Sequence, residues 1–264
     1  MNDAPELRLA VFVGLFVLFA ILEQLLPRKT RTAPLPRRWL TNWALVIIDS
    51  LALRVLTLAI PFMAVGAAVD ADTNGWGLFN AVSLPFWVEF ILAVLILDLA
   101  IWAQHVITHK IPLLWRLHRV HHADTDIDVT TALRFHPVEI LFSMILKIGL
   151  VYALGPAYSA VIAFEILLNG SAMFNHANIK LPLKFDRILR LVLVTPDMHR
   201  VHHSIQRAEH DSNYGFALAI WDRMFGTYIA QPSKGHDDMT IGLEWQDARP
   251  TKLGWSLSLP FFKK

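Results

Sequence analysis

Twelve histidines stand in a chain of 264 residues that has no cysteine. None precedes His105, and eight fall in three tight groups: His105 with His109, then His118-Arg-Val-His121-His122, then the same pentapeptide again as His199-Arg-Val-His202-His203. On a helix, positions four apart share a face with about 5–6 Å between Cβ atoms, and spacings of i, i+3 and i+4 gather three imidazoles on one side. A pair alone is weak evidence of ligation. Two identical triplets plus a pair supply more imidazoles than one metal ion can use, so two ions sharing them is the simplest stoichiometry. The plainer alternative is two amphipathic interfacial helices whose histidines titrate near neutral pH or bind lipid head groups. It does not account for the repeated pentapeptide.

The donor type narrows the metal. Neutral imidazole suits iron, zinc, copper and nickel and does not choose among them, while a structural zinc needs only four ligands, usually with cysteine. Eight or nine imidazoles with no thiolate point to a redox dinuclear centre, iron first, with copper as the chemical competitor. The absence of cysteine also excludes a disulfide framework, a thiolate haem ligand, a cysteine nucleophile and a cysteine-ligated cluster on this chain. A net charge of +2 makes no electrostatic case for nucleic acid.

Further candidates lie along the same helical stripes. Asp98, Trp102, His105 and His109 follow one face, so Asp98 is expected to accept a hydrogen bond from a ligating imidazole, directly or through water. Glu165, Asn169 and His176 share a face of the last apolar segment, with His176 as a ninth ligand. His136, just before Pro137, could serve as ligand, proton relay or substrate contact. Lys147 lies within an apolar run, which raises a functional role that snorkelling would explain equally well. His210 and His236 sit in polar stretches and are expected to face solvent.

These side chains must be carried by membrane elements. The chain is 55% hydrophobic and 17% charged, where ordinary globular proteins carry about a quarter charged residues. Leu7–Pro27 is long enough to span a hydrocarbon core, and its start, with Asp3, Glu6 and Arg8, reads as an anchor rather than a cleaved leader. A second apolar stretch runs from Leu40 to Val69 and a third from Pro85 to about Ile107. Asp49 and Arg54 in the second must pair or face the bundle interior. The block from Val138 to Phe174 breaks at Gly155-Pro156 and is expected to be a helical hairpin that crosses or dips into the bilayer.

Arg28, Lys29, Arg31, Arg37 and Arg38 follow the first span, while the 66–83 loop carries Asp70 and Asp72 and no lysine or arginine. The positive-inside rule puts the former in the cytoplasm together with the histidine-rich chain. The expected fold is therefore an all-α integral membrane protein with about three spanning helices, a membrane hairpin and a cytoplasmic, helical, histidine-rich catalytic portion. Its expected parts are residues 1–84 with the first spans, 85–230 with the histidines, and a C-terminal tail, 231–264.

Over about residues 92–228 the chain resembles the fatty acid hydroxylase and sterol desaturase superfamily of membrane enzymes. Its three histidine boxes match His105-x3-His109, His118-x2-His121-His122 and His199-x2-His202-His203. The flanks 132–137 (ALRFHP), 174–179 (FNHANI), 195–198 (TPDM), 211–215 (DSNYG) and 221–228 (WDRMFGTY) match too, with His210 before Asp211 as a departure. The resemblance implies a di-iron monooxygenase with its metals at the cytoplasmic face. It carries the ligand role onto the box residues and His176, and leaves His136 open.

Attack on an unactivated aliphatic C–H bond is beyond acid–base side chains, so the implied chemistry is metal activation of O2 with hydroxylation or desaturation of a lipid. The lipid, a sterol or fatty acyl species for instance, is expected to slide in from the bilayer along Phe135, Leu141, Phe142 and Phe174. No Gly-rich dinucleotide fingerprint is present, so electrons must come from an external NAD(P)H-dependent carrier, docking near Arg119, Arg200 or Arg207. A histidine-rich metal-binding or transport protein is the alternative, but transport would spread ionisable groups through the membrane depth. A hydrolase using metal-bound water is a third reading, disfavoured by the near-saturation of both metals with imidazole.

Overall fold

The computed structural model describes residues 4–262 and is helical, with no strand among the described residues beyond three isolated bridges. Asp3, part of the acidic start noted above, lies outside them, as do the last two residues of the tail. Helices α1 (Ala4–Leu25), α2 (Leu35–Leu56), α3 (Ala64–Asn74) and α4 (Leu78–Ala81) precede α5 (Phe86–Lys110) and α6 (Pro112–His122). The hairpin follows as α7 (Pro137–Leu154) and α8 (Tyr158–His176), then short helices α9 (Leu183–Leu189), α10 (Pro196–His202), α11 (Arg207–His210), α12 (Ile220–Met224), α13 (Gly235–Asp238) and α14 (Leu253–Ser258). Three of these, α2, α5 and α7, are long and apolar enough to cross a membrane. Helix α1 has the same length as α2 and covers the expected first span.

The second apolar stretch does not form one helix. Helix α2 stops at Leu56, and Pro61, which has no N–H to donate, falls in the gap before α3 begins at Ala64. At 11 residues α3 is about 16 Å long, too short to span. Its small residues Ala64, Ala67 and Ala68 lie at i, i+3 and i+4 and pack closely on Ile148 and Val151 of α7 and Val161 of α8. The segment expected as a loop, 66–83, is thus mostly helical. Asp49 is buried as expected, whereas Arg54 is exposed in the last turn of α2.

The hairpin breaks where the glycine-proline pair indicates. Gly155 caps α7 in the left-handed region (φ 61°), and a Cβ there would lie 2.2 Å from the Trp76 carbonyl oxygen, so only glycine fits. Gly77 (φ 99°) makes the reciprocal approach, its Cβ position falling 2.3 Å from the Gly155 amide nitrogen. These two turns lock the α3–α4 connection onto the end of the hairpin remote from the histidines.

At the opposite end the basic segment is tied down by acids rather than left in solvent. Arg28 pairs with Asp197 and Asp237, and Arg31 with Glu23. Arg38, fully buried, pairs with Asp124 (2.7 Å) and Asp128 (2.5 Å). Glu23 at the end of α1 accepts from the amides of Val129 and Asn178, fixing α1 to the loop after α6 and to the end of α8. The basic loop and the histidines therefore share one end of the bundle. The C-terminal segment packs there as well: Leu243 and Leu259 are buried with Leu45 of α2 and Val120 of α6, with Trp245 and Trp255 against them.

Candidate metal centre

Four helices deliver the nine histidines. His105 and His109 lie in the last turns of α5; His118, His121 and His122 in α6; His176 ends α8; His199 and His202 lie in α10, and His203 caps it. Both pentapeptide helices begin with proline at the first helical position, Pro112 and Pro196, where its missing N–H costs nothing. The Thr195 hydroxyl further accepts from the Met198 amide to cap α10.

The side chains form two groups, each with its ligand atoms within 4.8 Å of one another: His105, His109, His118, His122 and His202, and His121, His176, His199 and His203. The i, i+3, i+4 spacing sets each triplet on one side of its helix, and the two triplets are then divided between the groups. Each pentapeptide gives its i and i+4 histidines to one group and its i+3 histidine to the other: His118 and His122 join His202, while His199 and His203 join His121. His105 and His109 complete the first group and His176 the second. All nine are buried.

Backbone carbonyls fix the tautomers. The Nδ1 atoms of His105, His176 and His202 lie 2.7 Å from the carbonyl oxygens of Tyr214, Ala172 and Ser212, and Nδ1 of His121 lies 3.2 Å from that of Arg134. A carbonyl only accepts, so each Nδ1 carries the proton and each Nε2 is a bare lone pair. Yet Nε2 of His176 stands 3.1 Å from Nε2 of His121, and Nε2 of His105 faces Nε2 of His118, whose Nδ1 is held by Glu139, at the same distance. Two lone pairs at that separation repel unless a cation lies between them. Burial holds His121, His122, His199, His202 and His203 well below the usual imidazole pKa, with neighbouring histidines adding to the effect, so a proton does not fill that role. Buried, neutral, all-nitrogen and turned inward, both groups fit a divalent transition metal.

The loop supplying two of those carbonyls is held by side chains whose roles the sequence left unread. Asn213 sits in the left-handed region (φ 49°), its amide donating to the carbonyls of Met198 and Ile229 while its Oδ1 accepts from the Ile229 amide. Asp222 accepts from the amides of Tyr214 and Gly215, from Trp102 Nε1 and from the Thr227 hydroxyl. Together they aim the Ser212 and Tyr214 carbonyls at His202 and His105. On the other side Arg134, fully buried and lowered by that burial to about 10, donates to the Val120 carbonyl, Asn42 and Ser256. Burial pushes Asp124 up, but the adjoining Arg38 guanidinium outweighs it and holds the carboxyl below its usual range.

Several expected roles change. Asp98 bonds no imidazole; its carboxylate accepts from Trp221 Nε1 (2.8 Å) and the Leu218 amide (3.3 Å), clamping the turn before α12. His136 lies outside both groups and caps α7, its Nδ1 accepting from the Val138 amide and its Nε2 donating to the Leu257 carbonyl. Glu165 pairs with Lys147 (3.1 Å) and Arg8 (2.5 Å), and the Asn169 amide donates to the Glu165 carbonyl. Neither His210 nor His236 faces solvent: His210 is buried and stacked on Trp115, and His236 is buried near Asp197 and pushed down to about 4 by that burial. Arg119 and Arg200 are also buried, bonded to the Leu259 and Phe262 carbonyls and to Asp197, so only Arg207 of the three docking arginines reaches the surface.

The residue most clearly missed is Glu139, whose Oε1 receives the His118 Nδ1 hydrogen at 2.6 Å. A carboxylate in the first turn of a mostly apolar block was the available signal. A cavity of about 270 Å³ opens beside this pair between α5, α7 and α8, with His105 and His118 at one end and Phe135, Ile140, Met144 and Phe216 among its walls. Of the four residues expected along the substrate path only Phe135 lines it; Phe142 is exposed on the hairpin and Phe174 packs on Phe19.

An all-helical chain with long apolar helices and two buried imidazole groups at one end belongs to a recognisable class. Residues 90–227 match the fatty acid hydroxylase family, more than half of the chain, and the protein belongs to that family. Among characterised relatives, alkylglycerol monooxygenase of Xenopus tropicalis is 32% identical over 64% of this chain and 37% of its own length. The ornithine lipid hydroxylase OlsE of Rhizobium tropici is 29% identical over 60% of this chain and 46% of its own. Human alkylglycerol monooxygenase is 32% identical over 60% of this chain and 35% of its own. The chain thus spans less than half the length of these relatives. No solved structure matches it.

Proposed function

We propose that the protein is a membrane-bound, O2-dependent lipid hydroxylase that carries one iron ion in each histidine group, with hydroxylation or desaturation of an aliphatic C–H bond as its reaction. The observation that carries this reading is the juxtaposition of bare, facing imidazole nitrogens with an apolar cavity. His105 and His118 belong at once to the first group and to the cavity wall. Relatives named for the oxidation of alkylglycerols and ornithine lipids support a lipid substrate.

Bound iron would supply O2 activation, which no side chain here provides. The chain's own residues do the rest. His105, His109, His118, His122 and His202 would hold one ion, and His121, His176, His199 and His203 the other. Glu139 and the Tyr214, Arg134, Ala172 and Ser212 carbonyls keep protons on Nδ1 and lone pairs on Nε2. Phe135, Ile140, Met144 and Phe216 orient an alkyl chain toward His105 and His118 and exclude water. Asp98, His136 and Asn169 act by holding the surrounding backbone.

Electrons arrive from an external NAD(P)H-dependent carrier at the exposed face that includes Arg207. The basic 28–38 segment, sharing an end with the histidines, supports a multi-pass protein with its active site on the cytoplasmic side. The catalytic portion is 85–230, preceded by 1–84 and covered by 231–264. The pooling of all nine histidines at one end speaks against a metal transporter, which needs ligating groups along its path through the membrane.

Elemental analysis of the detergent-purified protein tests this reading, beside His121→Ala combined with His202→Ala. Two irons per chain, absent from the double variant, are expected. A lipidome from cells with the gene should show a gain of one oxygen or a loss of two hydrogens. Failure to retain iron even after anaerobic loading would overturn the proposal.

A further inference from the structure

The cavity has a second, charged end. Opposite His105 and His118 it is bounded by Arg8 of α1, Lys147 of α7, and Glu165 and Asn169 of α8. Glu165 lies eleven residues before His176, about 16 Å along α8. Lys147 stands well inside α7, where a cation is costly unless it is paired or used. It is not snorkelling along its own helix, because its Nζ is turned to Glu165 Oε1 at 3.1 Å and its side chain is only 12% exposed.

The charges at this end do not cancel. Arg8 and Lys147 bring two positive charges, and Glu165 brings one negative charge whose two oxygens are both engaged, Oε2 by Arg8 and Oε1 by Lys147. The other carboxylate lining the cavity, Glu139, is at the far end and occupied by His118. An ammonium carries three N–H donors and a guanidinium five, and Glu165 uses few of them. What remains toward the cavity is positive charge and hydrogen-bond donors, with no acceptor of matching strength.

We propose that this end recognises an anionic lipid group, a carboxylate or phosphate, and that the attached alkyl chain runs through the apolar waist to His105 and His118. The proposal rests on the hydroxylase reading only for what happens at the histidine end. It names a specificity determinant: the Arg8–Lys147 pair sets which lipid is accepted and, through the fixed length of the cavity, which carbon is presented. A neutral ester or sterol would leave the pair's spare donors without an anionic partner in the cavity.

Spin-labelled stearic acid, its methyl ester, and a spin-labelled alkyl phosphate test this in vesicles of neutral phosphatidylcholine containing the full chain, at a pH that ionises the acid. The fraction of label immobilised by protein is read by electron spin resonance, with metal-stripped and iron-loaded samples side by side. The wild type should prefer the acid and the phosphate over the ester by about tenfold or more, the scale of one hydrogen bond to a charged group. Lys147→Met should bring the ratio close to one, and Lys147→Arg should retain it. Because binding is read without turnover, a protein that holds no iron can still show the preference, and an active oxygenase can lack it.

Equal immobilisation of acid and ester by the wild type would overturn the proposal. So would an unchanged preference in a folded Lys147→Met, which would leave the cluster as a latch joining α1 to the hairpin. A preference for the phosphate alone, or the carboxylate alone, identifies which anion the site takes.

Discussion

The two histidine groups are made from the same pentapeptide used in opposite senses, and they differ in what surrounds them. The group of four is sealed: His121, His176, His199 and His203 have no exposed surface, and carbonyls of Ala172 and Arg134 back two of them. The group of five is slightly open, with His105 and His118 on the cavity between α5, α7 and α8 and His109 on a cleft beside Trp115, His210 and Arg207. It alone has a side-chain carboxylate bonded to a histidine at 2.6 Å, Glu139 on His118. A closed site favours retention of an ion, whereas chemistry needs an ion that substrate can approach. On the hydroxylase reading, binding stability falls to the closed group and reactivity to the open one.

The largest effect separates the groups outright. His176→Ala is expected to abolish iron retention in the closed group and, by leaving a hole among fully buried rings, to lower the stability of the whole protein. His118→Ala should remove iron from the open group while the closed group keeps its ion, giving about one iron per chain and no product. Iron per chain by mass spectrometry, with thermal unfolding on the same samples, makes the check. If both variants lose all metal together, the groups are a single cooperative site and the contrast collapses.

The next effect is of pH. Burial depresses the pKa of His121, His122, His199, His202 and His203, so in the folded, metal-stripped protein they stay neutral while the unfolded chain gains protons as pH falls through about 6.5. Where the unfolded state binds more protons, stability rises with pH. The stripped protein should therefore be most stable above about pH 7 and lose stability steadily on acidification below it. The iron-loaded form should hold to lower pH, because metal occupies the nitrogens that protons would take. Unfolding temperatures of both forms across this range provide the measurement, and a flat profile for the stripped form would contradict neutral, buried imidazoles.

How much of this was legible in the sequence follows from which physical signals are local. The histidine set, the hairpin break at Gly155-Pro156 and the sharing of one end by the basic segment and the histidines all follow from spacing, composition and turn chemistry over short windows. The division into five and four did not, because it depends on how α6 and α10 face each other, and no spacing within one helix encodes that. Asp98 shows the same limit: its helical stripe correctly aimed it inward, but a second chain segment, bringing Trp221, took the hydrogen bond that was assigned to an imidazole. His210 and His236 failed for a related reason. Polar neighbours in sequence suggested solvent, yet Trp115 covers one and the Asp197 region the other. Pro61 stands in the gap where the second apolar run divides, and the hydropathy of that run does not register the break.

The smallest effect is the most discriminating. Glu139→Gln keeps the shape of the side chain and removes its charge, so the fold should survive while His118 loses the carboxylate that holds its Nδ1 proton. Loss of such a partner lowers metal affinity by about 10–100-fold, equivalent to about 1.4–2.8 kcal/mol. Because Glu139 touches only the open group, the weakening should be confined to one of the two irons. A chelator titration followed by iron analysis should then show two steps, the first shifted and the second where the wild type has it. Release of both irons at a lower chelator concentration would mean that the groups share their ions. Unchanged release would mean that the His118 contact does not tune the metal, and the asymmetry between the groups would then rest on access to the cavity alone.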